Sequence, residues 1–295
     1  MDQAVGLRKK ENNEIQIGSA DSTAVSAPQK PVRVMAVSSG KGGVGKSNIV
    51  INLSIALDRM GLRTLIMDAD LGLANIDVLL GLTPKYNMSH VLNGQKRIDE
   101  VLVNGPGRLK IMPASSGVQE LTRLTGEQKL LFLELLEGLE TDVDALLIDT
   151  GAGISDTVLY FNLAAHERII VVTPEPTSLT DAYALIKVLY SKHGERHFRV
   201  LVNLAANESM GKSIFAKLSK VADHFLDGLS LDYLGTIPND TLVTKSVLQQ
   251  RALLELFPEA PASKAFMQIA KTILRTRPNV NQGTIQFFWK RLLNV

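Results

Sequence analysis

Apolar positions along this chain gather into short, nearly continuous runs, and longer stretches with helical spacing lie between them. The runs are Val32–Val37, Arg63–Asp68, Leu109–Pro113, Val143–Asp149, Arg168–Thr173, Phe198–Asn203 and Leu231–Ile237. Runs without polar alternation fit strands covered on both faces. Helical patterns cover Asn48–Leu57, Glu127–Leu139, Thr177–Lys192, Gly211–Phe225 and Ala262–Leu274. This alternation predicts an α/β fold: one doubly wound domain over residues 31–276, its mostly parallel sheet flanked by helices. Residues 1–30 hold few large apolar side chains and read as a flexible arm. Residues 277–283, Arg-Pro-Asn-Val-Asn-Gln-Gly, read as a linker. In residues 284–295, Ile285, Phe288, Trp289, Leu292 and Leu293 share one face of a helix, with Lys290 and Arg291 on other faces. Such a helix suits a membrane interface; docking on the body is the alternative.

The first strand runs into Gly40-Lys-Gly-Gly-Val-Gly-Lys46-Ser47-Asn48, and a helix follows. Glycines at this turn let successive backbone N–H groups point at a polyphosphate, and the helix terminus adds its positive field. Gly40, Lys41, Gly42, Gly43, Val44, Gly45, Lys46, Ser47 and Asn48 are therefore the expected phosphate site. Lys46 would reach the β- and γ-phosphates, and Ser47 would ligate Mg²⁺. Two further apolar runs end in acids, at Asp68-Ala-Asp70 and at Asp149-Thr-Gly-Ala-Gly153. In open α/β sheets ligands bind outside the carboxyl ends of the strands, so these acids belong to the same site. Asp149 fits a water-mediated Mg²⁺ ligand. ATP and Mg²⁺ are the expected substrate and cofactor.

Lys41, directly after the first glycine, makes the loop resemble the deviant Walker A family, which includes MinD, ParA, the nitrogenase iron protein, Mrp-type scaffolds and ArsA. The resemblance implies a P-loop NTPase in which Lys41 crosses a homodimer interface to the partner's phosphates. It also implies that Asp70 orients the attacking water and that Asp68 supports the metal shell. With Lys41 and Lys46, Asp70 forms the expected catalytic set. The chain has no cysteine, which excludes the cluster-binding branches. Only one phosphate loop is present, which excludes the ArsA-like pumps. Gly151 stands where MinD usually has proline. By the same resemblance Asn203 reads adenine, Pro238, Asn239 and Asp240 pack on the base, and Glu175 touches the partner's ribose. Turn formation explains these last five residues nearly as well.

Charge adds a polarity. The last 36 residues hold six basic side chains and no acid, so the total of +2 leaves the preceding body at −4. A basic tail on an acidic body suits an anionic surface, either membrane or nucleic acid. No apolar run approaches the roughly 18–20 residues that span a bilayer, and a cytoplasmic protein bound peripherally to the inner membrane face is expected. The opening Asp2-Gln3-Ala4-Val5-Gly6-Leu7-Arg8 resembles the Asp-Gln-Ala-x-x-Leu-Arg start of the FlhG (FleN) family of flagellar-number regulators. That resemblance implies stimulation of the GTPase FlhF through Gln3 and Arg8. It further implies contact with a flagellar master transcription activator and C-ring proteins, and an ATP-dependent cycle between monomer and membrane-bound dimer. A ParA-like ATPase that binds nonspecific DNA is the competing reading.

Overall fold

The computed structural model describes residues 32–70, 75–113, 143–276 and 288–291. The expected helix at 127–139, the linker and the arm with Gln3 and Arg8 lie outside them, as do Ile285, Leu292 and Leu293. The described strands are β1 (Arg33–Ser39), β2 (Thr64–Ala69), β3 (Val103–Asn104), β4 (Lys110–Met112), β5 (Ala145–Ala152), β6 (Glu167–Val172), β7 (His197–Ala205) and β8 (Ser230–Pro238). They form one sheet in the order β3-β4-β2-β5-β1-β6-β7-β8. Every pairing is parallel except β3 with β4, a short antiparallel edge that its two residues gave no reason to expect.

The described helices are α1 (Lys46–Arg59), α2 (Ile76–Leu79), α3 (Met88–Leu92), α4 (Ile98–Val101), α5 (Asp156–Ala164), α6 (Pro176–His193), α7 (Glu208–Phe225), α8 (Thr241–Leu248), α9 (Leu253–Leu256) and α10 (Pro261–Arg275). Strand residues alternate between two buried faces, as their unbroken apolar character requires. Met35, Val37, Ile169 and Val171 pack with α1 and α10. Val34, Ala36, Ile170 and Val172 point to the other face, which α5, α6 and α7 cover. α1 is buried along most of its length because it fills the space between the sheet and α10.

Register sets up the chemistry. Asp149 on β5 pairs with Val37 of β1 on one side and Asp68 of β2 on the other. Both acids thus arrive side by side at the carboxyl edge, next to the β1–α1 turn. At the opposite edge, the turn 288–291 lies on the body, with Phe288 and Trp289 buried in the cluster that holds Val32, Val143, Phe161, Ala164 and Ala165. The aromatic face assigned from sequence to a membrane is therefore covered by the protein itself in this state.

Candidate functional site

The β1–α1 turn closes tightly. Gly43 and Gly45 have φ of 77° and 89°, a region that L side chains avoid, and Gly45 hands the chain directly into α1. Gly40 is needed for a different reason: a Cβ there would fall 2.1 Å from the Asp181 carbonyl oxygen on α6. α6 therefore rests on the loop backbone. Asn203 buttresses the far side, donating from Nδ2 to the Val44 carbonyl at 2.8 Å. In this state that amide shapes the loop, the role beside which its expected reading of adenine has to fit.

Lys46 is 8% exposed, and its Nζ donates to Ser39 Oγ at 3.0 Å. Burial lowers its pKa, opposed by the negative charges of Asp149 and Asp70. Ser39 passes its own hydrogen to the Lys41 carbonyl at 2.7 Å, so one hydroxyl fixes both lysine positions. Lys41 Nζ does not point across the site. It pairs with Glu175 and lies 3.2 Å from Thr177 Oγ1, both at the start of α6. The two residues assigned to the partner subunit thus hold each other within one chain.

The acids differ in their surroundings. Asp149 is 1% exposed, and neither carboxylate oxygen makes a hydrogen bond of normal geometry. Burial pushes its pKa up to about 7; the Ser47 hydroxyl and Lys46 oppose that rise, while Asp68 and Asp70 add to it. A buried, unsatisfied carboxylate beside a serine hydroxyl fits a hard divalent cation that takes its remaining ligands from water and phosphate. Among the described residues no three acidic or imidazole side chains form a metal cage, and a shared shell of this kind needs none.

Asp68 is engaged differently. Its Oδ1 accepts from Asp70 N at 3.1 Å, and its Oδ2 accepts from Asn75 N at 3.2 Å and Ile76 N at 3.3 Å. Burial raises its pKa to about 6 against those three bonds. Its carboxylate is occupied in holding the backbone at Asp70, Asn75 and Ile76, which leaves only its remaining lone pairs for the metal shell expected of it. Asp70 stands at the mouth, with its Oδ1 3.6 Å from the place a Cβ on Gly151 would take.

The base-side expectations meet structural work as well. Asp240 caps α8 by accepting from Leu242 N at 2.9 Å, and its other oxygen accepts from Ala262 N at 3.2 Å. Asn239 N donates to the Ala205 carbonyl at 2.9 Å. Pro238 ends β8. The motif search passed over Ser38, Ser39, Thr150 and Asn162, which carry the polar links between loop, strand and helix. An asparagine interrupting the apolar run Val158–Leu163 was the available signal for the last of them.

A ParA family profile, described as "NUBPL iron-transfer P-loop NTPase", matches residues 30–274. The chain is 47% identical to the antiactivator FleN of Pseudomonas aeruginosa over 267 residues, which span 89% of this chain and 94% of that one. It is 35% identical to the flagellum site-determining protein YlxH of Helicobacter pylori, over 88% and 90% of the two chains. The chain belongs to the ParA/MinD family of P-loop ATPases, on its FleN/YlxH branch. Among solved structures, this ATPase resembles the MinC:MinD complex of Aquifex aeolicus, with a TM-score of 0.66, 27% identity, and 83% and 97% of the chains covered. A MinD complexed with Mg-ADP from Pyrococcus horikoshii gives a TM-score of 0.64 at 24% identity, over 82% and 96%, and shows the shared fold. The iron-transfer role in the profile's description does not carry over through thiolates, since this ATPase has no cysteine. ATP and Mg²⁺ are its substrate and cofactor.

Proposed function

We propose that this flagellar-number regulator of the FleN type is an ATP-driven switch with two assembly states. A monomer keeps its tail on the body, and an ATP-bridged homodimer attaches to the inner face of the membrane. One observation carries the reading: Lys41 and the tail aromatics are both held within the same chain. Each is a group that a dimer and a membrane would otherwise engage.

The residues suit the chemistry. Backbone N–H groups of residues 40–46 and the α1 terminus cradle the phosphates, and Lys46 neutralises the β- and γ-oxygens. Ser47 and Asp149 would hold Mg²⁺, which when bound would supply Lewis-acid polarisation of the phosphate. Asp70 orients the attacking water from the mouth of the site. Lys41, on leaving Glu175, adds positive charge at the partner's phosphates as negative charge moves in the transition state. Glu175 is then free to face the partner's ribose.

Releasing the tail offers Phe288 and Trp289 to lipid, each gaining on the order of 1.5–3 kcal/mol by burial. Burial on the body offers a similar gain, so small differences between states decide where the tail sits. Two tails per dimer add avidity, and Lys290 and Arg291 add a salt-sensitive attraction to anionic lipid. The N-terminal motif with Gln3 and Arg8 is proposed to stimulate an FlhF-type GTPase. A flagellar master transcription activator and C-ring proteins complete the partner set, in keeping with the antiactivator role of the P. aeruginosa relative.

Sizing chromatography and vesicle co-sedimentation with ATP, ADP and no nucleotide test the reading. ATP is expected to produce a dimer that sediments with anionic vesicles, and Lys41→Gln or deletion of residues 284–295 to abolish sedimentation. A truncated chain that still sediments with vesicles would place the contact elsewhere. Sedimentation with DNA instead of vesicles would favour the ParA-like reading.

A further inference from the structure

Three buried polar side chains connect parts of the molecule that the nucleotide site and the tail use separately. Asn162 on α5 donates from Nδ2 to Ser38 Oγ at 2.8 Å and to the Val158 carbonyl at 2.7 Å. Ser38 Oγ lies 2.8 Å from Thr150 Oγ1. Thr150 Oγ1 is in turn 3.1 Å from the Val37 carbonyl and 3.0 Å from the Gly151 carbonyl. All three side chains are fully buried.

The donor count limits the direction of these bonds. An amide nitrogen only donates, so Ser38 accepts from Asn162, while between Ser38 and Thr150 either hydroxyl can donate. Thr150 has one hydrogen for three acceptors: Ser38, the Val37 carbonyl on the loop strand β1 and the Gly151 carbonyl. A hydroxyl with one hydrogen and several acceptors has discrete settings, and a shift of the Gly151 peptide would select among them.

Packing does not account for Asn162. Its Oδ1 is buried with no hydrogen-bond partner among the described residues. An unsatisfied carbonyl is a cost that an apolar side chain of the same size would not carry. The groups at the two ends of the chain of bonds have functions of their own. Gly151 borders the Asp70 carboxylate. Phe161 and Ala164, close to Asn162 on α5, belong to the apolar cluster that encloses Phe288 and Trp289.

We propose that Asn162, acting through Ser38 and Thr150, is a positioning residue that ties the Gly151 peptide to α5 and so ties the catalytic water site to the tail's pocket. Loss of the relay leaves the phosphate cradle standing, because the loop backbone is held by Asn203 and Ser39. The tail half of this proposal rests on the membrane-switch reading above; the catalytic half does not.

The test uses the full chain with Thr150→Val, which keeps shape and removes the hydroxyl, Thr150→Ser, which restores it, and Asn162→Leu. ATP affinity is read by fluorescent-nucleotide titration, turnover by phosphate release, and tail exposure by sedimentation with phosphatidylglycerol–phosphatidylethanolamine vesicles in ATP and in ADP. Thr150→Val and Asn162→Leu are expected to keep ATP affinity within about threefold and lose about tenfold or more in kcat. Their ATP-to-ADP sedimentation ratio should fall to about one, with Thr150→Ser close to wild type in all three readouts. If Asn162→Leu fails a thermal-melt check, Thr150→Val decides. Wild-type kcat and sedimentation ratio in Thr150→Val would overturn the relay. If wild type itself shows no ATP-dependent sedimentation, the membrane-switch reading falls, and the kcat and affinity of Thr150→Val alone decide for or against the catalytic half.

Discussion

The two edges of the sheet both bury charge, and they treat it in opposite ways. At the amino edge two largely buried acids, Glu167 and Glu195, each face two guanidiniums. Glu167 pairs with Arg33 at 2.7 Å and Arg199 at 2.9 Å, and Glu195 pairs with Arg168 at 2.7 Å and the tail's Arg291 at 3.1 Å. The surplus positive charge is taken up by carbonyls at helix ends, Arg33 donating to those of Ile273 and Thr276 on α10 and Arg168 to that of Ala165 after α5. At the carboxyl edge three acids, Asp68, Asp70 and Asp149, gather near one buried cation, Lys46, which interacts with Asp149 and Asp70, and the two most buried acids have raised pKa values. One edge pairs its acids with guanidiniums and is covered by the tail residues Phe288 and Trp289. The other becomes complete only with a divalent cation and a nucleotide, as expected for strain kept at a functional site.

The largest effect that would separate the edges is on turnover. Asp70→Ala should lower kcat by about a thousandfold while ATP affinity changes by only a few-fold, because it removes the acid proposed to orient the water and leaves the cradle intact. Single-turnover phosphate release beside nucleotide titration measures both. Wild-type turnover in the variant would remove Asp70 from the mechanism.

Stability gives the mirror comparison. Glu167→Gln should cost about 3–4 kcal/mol in urea unfolding, since it strands two largely buried guanidiniums. Asp149→Asn should cost far less at pH 8 without ligand, because it removes a charge that burial already disfavours. The same variant should lose most of the thermal stabilisation that wild type gains from Mg-ATP. Equal costs at the two sites would mean that the edges do not differ in the way their hydrogen bonds indicate.

The same contrasts separate what the amino-acid sequence discloses from what only the fold does. The seven runs became β1, β2 and β4–β8 with shifts of one to three residues at their ends, because an unbroken apolar strand can only be a covered one. The phosphate loop was legible from glycine spacing, where backbone conformation is set locally. The amino-edge ion pairs were not, since Arg33, Glu167 and Arg199 are separated by up to 166 residues and only the strand order β1-β6-β7 brings them together. For Trp289, docking on the body stood as the alternative to the membrane, whereas the pairing of Lys41 with Glu175 was hidden for a related reason. Motif and amphipathicity name a group's chemistry, and which of two partners satisfies it depends on the conformational state.

A smaller effect comes from pH. Asp149 and Asp68 have folded-state pKa values raised from 3.8 to about 7 and about 6. The folded state therefore binds more protons than the unfolded chain between pH 4 and 7, and its stability falls as pH rises through that window. Ligand-free protein should lose stability from this source between pH 5 and pH 8, and Asp149→Asn should flatten the slope. Mg-ATP binding should release protons near pH 6.5, which calorimetry in buffers of different ionisation enthalpy detects. No buffer dependence would show that Asp149 is already ionised without metal.

The smallest effect probes the closed edge directly. Trp289 is the chain's only tryptophan and is fully buried, so its fluorescence reports whether the tail is docked. Arg291 is held by Glu195, and at 36% side-chain exposure that bond is well solvated; an ion pair of this kind contributes about 0.2–1 kcal/mol. Glu195→Gln weakens it and also leaves Arg168, at 3% exposure, without its acid. His166 adds no charge of its own near neutral pH, since burial, with help from Arg291 and Arg168, lowers its pKa to about 4. The tail of the variant should therefore spend more time off the body, with emission shifted to the red and stronger acrylamide quenching than wild type in the absence of nucleotide. Arg291→Gln should give a weaker form of the same shift, because it leaves the Glu195–Arg168 pair intact. Blue, unquenched emission in Glu195→Gln would mean that the aromatics alone hold the tail and that the ion pairs only decorate it.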